Sequence, residues 1–269
     1  MRILFVGDVV GKPGVQFLTG VLPGIRRQES IELAVVNAEN ADGGSGINPG
    51  IYRRLLAAGV DCITLGDHIY KKKDIIEILE NQANIVKPGN YPGQAPGKPW
   101  VVVKSEMGRK VAVFSLMGRV FMRPVDCPFQ AADRILEEIP ADVKIRFCDF
   151  HAEATSDKQL MGRFLDGRVS ACLGTHTHVA TADEQVLPGG TAFQSDVGMT
   201  GPHESILGRQ IDKVMEATIT FKPLPFLVAQ NDVRLNGAIV DVDPKTGKAQ
   251  GIKRFCVREK DADHYLDEY

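Results

Sequence analysis

Short apolar runs that alternate with helical segments constrain this fold more than any other feature of the sequence. The runs with the length and β-branched content of buried strands lie at 2–7, 33–37, 60–65, 144–150 and 169–173. The segments with helical character lie at about 15–27, 48–58, 72–80, 129–139 and 156–164. This alternation, which continues to about residue 190, predicts an α/β core with parallel strands.

The remaining residues predict further strands and a second sheet. Strands at 100–104 and 110–116 flank a turn at Met107-Gly108, and a short strand follows at 191–196. From about residue 217 to residue 257 the pattern alternates and is β-rich, with a hairpin turn at 243–248. No linker, repeat or low-complexity segment divides the chain, so we predict a single domain over residues 1–269.

Charge and hydropathy argue against several classes of protein. A net charge of −2 gives no basic surface for duplex nucleic acid, although a small nucleotide or single-stranded RNA stays compatible with it. No apolar run approaches the roughly 20 residues of a membrane span, and Asp8 comes too early for a signal peptide. The five cysteines are widely spaced and contain no C-x-x-C, which indicates a reducing compartment. We therefore expect a cytoplasmic protein without a membrane partner.

Side chains that can bind metals follow five of the predicted strands. They are Asp8, Glu39 with Asn40, Asp67 with His68, His151, and His176 with His178. Each has a structural alternative, such as a helix N-cap at Asp8 or a hydrogen-bonded core histidine at His151. Ligands bind beyond the carboxyl ends of the strands in open α/β sheets, and nothing structural requires every strand to end in such a residue. Their recurrence favours one shared metal site.

The residue types indicate which metals and which chemistry this site would serve. Mixed carboxylate and imidazole donors suit manganese, iron or zinc better than calcium. Seven donors are more than a single tetrahedral metal site can use, whereas two metals that share a carboxylate would use them all. Two ions roughly 3.5–4 Å apart clamp the attacking and leaving oxygens of a phosphoryl group and generate the nucleophile from water. A histidine outside the donor set would protonate the departing oxygen.

Together these motifs resemble the YmdB-type branch of the calcineurin-like metallophosphoesterases. The resemblance extends to about residue 255 and rests on Gly7-Asp8, Glu39-Asn40, Gly66-Asp67-His68, His151–Ser156, Gly174–His178 and Asp196–Pro202. It implies a four-layer α-β-β-α sandwich of two stacked mixed sheets with a dinuclear centre of iron or manganese, zinc or magnesium being alternatives. It also implies that metal-activated hydroxide hydrolyses small phosphodiesters, 2′,3′-cyclic nucleotides in particular.

The resemblance divides the seven donors between two metals. The first metal would be held by Asp8, Glu39, Asn40 and His178. The second would be held by Glu39, which bridges, and by Asp67, His151 and His176. His68 would be the general acid. Because Glu39 and Asn40 would point apart in a straight strand, we expect the backbone to bend there.

One donor departs from the family pattern. The family has Gly-Asn-His where this chain has Gly66-Asp67-His68. Aspartate has nearly the shape of asparagine but adds a negative charge. We therefore expect tighter metal binding, weaker Lewis acidity and an electrostatic cost to an approaching phosphate.

Neighbouring residues receive weaker assignments. Arg119 and Arg123 could donate to a substrate phosphate, although solvated loop arginines are more common. Asp149 and Glu153 could orient metal ligands, with helix capping as the alternative for Glu153. We assign no role to His203.

Two other functions stay open at this point. The protein could be a regulatory module whose metal-locked surface holds RNA or a protein partner with little turnover, and the change at Asp67 gives this alternative some weight. A metal-dependent amidohydrolase also uses His-x-His, but that pair usually comes early in a barrel sequence and this one comes late. Association into a homo-oligomer is left open.

Overall fold

The computed structural model describes residues 1–266; residues 267–269, the end of the predicted domain, lie outside them. The strands are β1 (Arg2–Val6), β2 (Leu33–Asn37), β3 (Cys62–Thr64), β4 (Trp100–Lys104), β5 (Lys110–Met117), β6 (Ile145–His151), β7 (Ala171–Thr175), β8 (Gln185–Val186), β9 (Ala192–Gln194), β10 (Gly201–Pro202), β11 (Val233–Val242) and β12 (Ala249–Arg258). The helices are α1 (Gly11–Gln28), α2 (Pro49–Ala57), α3 (Ile76–Asn81), α4 (Pro128–Glu138), α5 (Thr155–Leu165) and α6 (Ile211–Thr220).

The first sheet has a parallel centre and an antiparallel extension. Its order is β10-β11-β1-β2-β3, with β12 paired to β11. β1 runs parallel to β2, and β2 runs parallel to β3. On its other side β1 pairs antiparallel with β11, so that Ile3 lies opposite Val240. The first strand of the chain is therefore enclosed by one of the last.

The second sheet has the order β4-β5-β6-β7-β9-β8. The strands from β5 through β6 and β7 to β9 are parallel, and antiparallel strands lie at both edges. Parallel neighbours end at the same edge of a sheet, so the ends of β6 and β7 bring His151 beside Thr175. The histidines that follow these two strands are thus neighbours in space.

Three apolar clusters show how the layers stack. Because successive strand side chains point to opposite faces, Phe5 faces the second sheet and Leu4 faces the helices. Phe5 meets Phe147 of β6 with ring centroids 5.0 Å apart. On the outer face of the second sheet, Phe114 packs with Ile135 of α4 and with residues of α5. The order of layers is α-β-β-α, which confirms the predicted mixed α/β sandwich.

Two predictions about local structure were wrong. The first helix begins at Gly11 and not near residue 15. The segment at 211–220, part of which was predicted to be β-rich, is the helix α6, and regular strands resume only at Val233. The β-branched run Thr218-Ile219-Thr220 suggested a strand, but the apolar residues Ile211, Met215 and Ile219 recur every four positions, as on one side of a helix.

Within residues 1–266, no helix is both long enough and apolar enough to cross a membrane.

Candidate metal centre

The backbone after β1 and β2 turns so that the donor side chains of the first sheet face one site. Asp8 lies two residues beyond β1 and is fully buried. After β2 the chain turns at once, and Ala41 N donates to Ala38 O at 3.2 Å. The predicted bend is therefore present, and Glu39 and Asn40 both face the ends of the other strands.

Four of the predicted donors meet in one compact group. They are Glu39, Asp67, His151 and His176, whose donor atoms all lie within 4.8 Å of one another. His151 Nε2 is 3.2 Å from Glu39 Oε1 and 3.2 Å from Asp67 Oδ1. His176 Nδ1 lies 3.0 Å from His151 Nε2 and 3.7 Å from Asp67 Oδ1. This arrangement matches the chemistry of a divalent transition-metal site.

The other three predicted donors form a second group beside the first. Asn40 Nδ2 donates to His178 Nε2 at 3.2 Å, while the Asn40 amide oxygen, the atom that could bind a metal, contacts His68. His178 Nε2 lies 3.9 Å from Asp8 Oδ1. Asn40 Nδ2 is also 3.4 Å from Glu39 Oε1, which connects the two groups through this carboxylate. The seven side chains that the resemblance assigned to metals thus lie together, at the shared end of the two sheets.

His68 lies at the rim of both groups. Its Nδ1 is 2.6 Å from Asn40 Oδ1, and its Nε2 is 3.8 Å from Asp67 Oδ2. Its backbone N–H donates to Glu39 Oε2 at 3.0 Å, which also holds that carboxylate in place. With 31% of its side chain exposed, His68 can reach a molecule in the adjoining cleft.

A buried chain of hydrogen bonds orients His151. The Thr175 hydroxyl donates its one hydrogen to Asp149 Oδ1 at 2.7 Å. It must therefore act as the acceptor for His151 Nδ1–H, which lies 2.9 Å away. Asp149 also accepts from Thr64 Oγ1 at 2.5 Å and from Asn37 Nδ2 at 2.9 Å. The lone pair of His151 Nε2 therefore faces the other donors, as metal-binding histidines require.

The other two histidines are oriented by different partners. Glu153 Oε2 lies 3.1 Å from His176 Nε2, which leaves Nδ1 of that ring for the group of four. His178 Nδ1–H donates to Leu207 O at 3.1 Å, so its Nε2 faces Asp8. Both histidines have left-handed backbone conformations, with φ of 99° and 66°, which residues other than glycine rarely adopt. Such strain is characteristic of functional sites.

Burial and neighbouring charges act against each other at the carboxylates. Burial raises the pKa of Asp8 to about 6, although His178 and His151 oppose the shift. Burial alone would also raise the pKa of Glu39, but the adjacent His151 lowers it below its usual value. Burial opposes the shift at Asp67 in the same way, yet the hydrogen bond and charge of His151 lower the pKa of this carboxyl. Three carboxylates therefore lie together where water is scarce.

Of the two histidines in the group of four, only His151 balances this negative charge. Burial would lower the pKa of His151, but Glu39 and Asp67 raise it well above its usual value. Burial, followed by the charge of His151, lowers the pKa of His176 to about 4. A proton on His151 thus serves as the cation that the carboxylates attract, and a divalent metal would replace that proton.

One buried atom supports the fit to a metal. Asp8 Oδ2 accepts a hydrogen bond from His176 N at 3.1 Å, whereas Oδ1 has no hydrogen-bond partner in the described part of the chain. Leaving a buried carboxylate oxygen without a partner costs about 1–3 kcal/mol or more, so such atoms usually have a ligand. His178 Nε2 lies 3.9 Å from this oxygen, and a metal ion between them would satisfy both residues.

A cleft of about 340 Å³ adjoins these donors and has two unlike sides. The polar side carries Glu39, Asn40, His68, His176 and His178. The apolar lining that is at least partly exposed, which we call the apolar wall, consists of Ile206, Leu207, Val214 and Phe226. A concave site with convergent polar groups and an apolar surface is typical of small-molecule binding.

The weaker assignments have mixed outcomes. Glu153 contacts His176, and Asp149 orients His151 through Thr175, as their proposed orienting roles require. Arg119 and Arg123 do not line the cleft, and the Arg123 guanidinium lies 5.8 Å from the centre of the Tyr91 ring. His203 hydrogen-bonds Gly201 O and Asn236 and contributes nothing to the donor groups.

Comparisons with known proteins show the family of this chain. The family model described as YmdB-like protein matches residues 4–255. The chain belongs to the YmdB-like family. A relative from Bacillus subtilis (strain 168), 2′,3′-cyclic-nucleotide 2′-phosphodiesterase, is 42% identical over 259 residues, or 96% of this chain and 98% of the relative.

Two crystal structures are also similar to this YmdB-like protein. A hypothetical protein from Thermus thermophilus has a TM-score of 0.90 at 40% identity and covers 96% of this chain and 100% of its own. A structure from Mycoplasma pneumoniae described as a novel phosphatase has a TM-score of 0.89 at 30% identity, over 98% and 95% of the two chains. The resemblance noted in the sequence is thereby confirmed.

Sequence reasoning missed several residues that shape the site of this YmdB-like protein. Asp196 belongs to a quoted motif, yet nothing in the sequence shows that it contacts Thr177, between the two histidines. Lys158, its buried partner, lies on α5 without a local signal. Leu207 and Phe226 were assigned no role in the site, and no motif in the sequence indicates the wall.

Proposed function

We propose that this chain is a metal-dependent phosphodiesterase in which two metal ions share Glu39, and that nucleoside 2′,3′-cyclic phosphates are its substrates. The observation that carries the proposal is the pair of donor groups connected through one buried carboxylate. The name of the Bacillus subtilis relative supports the substrate, and the description of the Mycoplasma pneumoniae structure supports hydrolysis of phosphate esters.

Each ion would be held by four side chains. The first set is Asp8, Glu39, Asn40 and His178, and the second is Glu39, Asp67, His151 and His176. Carboxylate, amide and imidazole donors together fit Mn²⁺ or Fe²⁺, which we propose as the metals. When bound, the two ions supply positive charge to the phosphate oxygens and lower the pKa of the attacking water.

The protein contributes fixed donor orientations. The chain from Asp149 through Thr175 holds His151 with Nε2 toward the site and makes this ring a stronger base. The Leu207 carbonyl does the same for His178. Donors that are already oriented need no rearrangement as charge develops in the transition state, which is where electrostatic stabilisation is most effective.

His68 is the proposed proton donor. It is not needed in either donor set, yet it lines the cleft and contacts Asn40 from the first set and Asp67 from the second. Opening a cyclic phosphodiester releases a sugar alkoxide, which is a poor leaving group until it is protonated. A histidine at the rim can deliver that proton from Nε2 while Nδ1–H stays hydrogen-bonded to Asn40 Oδ1.

The test is hydrolysis of adenosine 2′,3′-cyclic phosphate by metal-stripped protein, before and after addition of Mn²⁺ or Fe²⁺. We expect no turnover without metal, full turnover after addition, and two bound ions per chain by elemental analysis. The control is Asp142→Asn, which changes an exposed carboxylate that pairs with Lys110 and should leave metal content and turnover unchanged.

Two outcomes would contradict the proposal. One ion per chain at full activity would refute the shared carboxylate. Two bound ions without turnover of any phosphodiester would refute the enzymatic function and favour the regulatory binding module.

A further inference from the structure

The apolar wall is unusual because its side chains face solvent beside a strongly polar site. Ile206, Leu207 and Phe226 are 42%, 50% and 47% exposed, respectively, although their segment runs next to His178 and Glu39. α6, which supplies Val214, contains no buried residue. The wall therefore does not belong to the hydrophobic core. An exposed apolar surface of this kind, next to convergent polar groups, marks a ligand-binding face.

Two connections fix the wall relative to the donors. The Leu207 carbonyl accepts from His178 Nδ1 at 3.1 Å, so the backbone of the wall is bonded directly to a proposed metal ligand. Arg209 provides the second connection: its Nη1 donates to Gly43 O at 3.0 Å and to Phe226 O at 2.8 Å, and its Nη2 donates to Gly44 O. This guanidinium ties the glycine-rich turn after Glu39 to the segment that carries Phe226. The wall thus has a defined position.

The chemistry of the wall selects one part of a substrate. Its four side chains offer no hydrogen-bond donor or acceptor, and three N–H bonds of Arg209, which also lines the cleft, are used by backbone carbonyls. A sugar hydroxyl or a second phosphate would lose its hydration there without compensation. A flat aromatic group would bind there favourably, because stacking of a base on an aromatic side chain contributes about 1–3 kcal/mol of binding free energy.

We infer that the apolar wall is the nucleobase subsite of this enzyme, with Phe226 as its main stacking surface. The inference rests on the proposed function, because it takes the phosphate of the same substrate to lie at the metal donors. Since the wall has no polar side chain to read the edge of a base, the subsite accepts all four bases. It prefers purines to pyrimidines only through their larger stacking area.

The test compares substrates with and without a base. We would measure kcat/KM for adenosine and cytidine 2′,3′-cyclic phosphates and for 1-O-methylribose 2′,3′-cyclic phosphate, using wild type and Phe226→Ala. The wild type should prefer both nucleotides over the base-free compound at least about tenfold and differ less than about fivefold between the bases. In Phe226→Ala, kcat/KM for the two nucleotides should fall about tenfold, mainly through a higher KM. The value for the compound without a base should not change.

Phe221→Ala is the matched control. Phe221 lies in the same segment and is 92% exposed, but it does not line the cleft, so its removal should change none of the three values. An equal loss on all three compounds for Phe226→Ala, or no loss at all, would overturn the subsite.

A binding measurement separates this inference from the proposed function. Calorimetry of adenosine 3′-monophosphate and ribose 3-phosphate with metal-loaded protein requires no turnover. Tighter binding of the nucleotide that depends on Phe226 would support the subsite even if the wild type hydrolysed nothing, and the proposed function alone would then fail. Equal binding of the two compounds would refute the subsite whatever the turnover.

Discussion

Lys158 Nζ lies 2.6 Å from Asp196 Oδ2, and the side chains of both residues are only 2% exposed. Asp196 Oδ2 also accepts from the Thr177 backbone at 3.0 Å and from the Thr177 hydroxyl at 2.8 Å. This buried ion pair therefore holds the residue between His176 and His178, whose left-handed backbone conformations would otherwise relax.

Replacing Lys158 with methionine should destabilise the protein and loosen the metal site. The change leaves Asp196 charged, buried and without its counter-ion, which costs about 3–5 kcal/mol. We expect the free energy of unfolding of the metal-free protein, measured with urea, to fall by this amount. Mn²⁺ binding should weaken at least tenfold.

Lys110→Met is the comparison for this change, because Lys110 pairs with Asp142 on the surface and should contribute less than about 1 kcal/mol. If Lys158→Met lost stability but bound Mn²⁺ as tightly as the wild type, the pair would stabilise the fold without positioning the histidines.

His68→Ala should separate catalysis from metal binding. Removing a general acid lowers turnover of a cyclic nucleotide by about 10²–10⁴-fold, while both donor sets stay intact. A p-nitrophenyl phosphodiester releases an anion that needs no proton, so its hydrolysis should fall far less. The exposed His264→Ala provides the histidine control. Equal losses on the two substrates would mean that His68 acts in some other way.

Asp67→Asn tests the donor that we expect to depart from the family pattern. The two side chains have nearly the same shape, but the change removes a negative charge that lies 3.2 Å from His151 and 3.8 Å from His68. We expect Mn²⁺ binding to weaken about tenfold, within the range for changes around a metal. Turnover at saturating metal should rise, because the ions become stronger Lewis acids. Tighter metal binding, or slower turnover at saturation, would contradict this account of the charge.

Gly66→Ala should abolish metal binding without unfolding the chain. A Cβ at this position would overlap the His151 ring and lie 2.5 Å from Glu39 Oε2, within the space of the donors. The backbone at Gly66 does not have a positive φ, so alanine adds no conformational strain. Gly93→Ala, where nothing lies within 4 Å, is the matched control and should behave as the wild type. Normal metal content in Gly66→Ala would show that the donors can move apart.

The positions of Asp8 and His151 could be predicted because each lies at or within two residues of the end of a buried strand and belongs to a recognisable motif. The alternation of strands and helices also predicted a core with parallel strands, whereas the four-layer stacking followed from the family resemblance. The apolar wall could not be predicted from the sequence. Leu207 is placed by its hydrogen bond to His178, and Phe226 by its hydrogen bond to Arg209, and both bonds join residues that are far apart in the chain. Lys158 was missed for the same reason: its partner Asp196 is 38 residues away, and buried lysines have no local sequence signal.

The antiparallel pairing of β1 with β11 has a consequence for biosynthesis. Asp8 follows a strand whose residue Val6 lies opposite Gly237, which is translated after all seven proposed donors. Until then the first sheet lacks the neighbour of its central strand, and the first donor has no fixed place. We therefore expect the nascent chain to lack an ordered metal site while the proposed donors appear one by one. Metal loading should wait until β11 has been synthesised, so a product truncated before Val233 should stay unloaded.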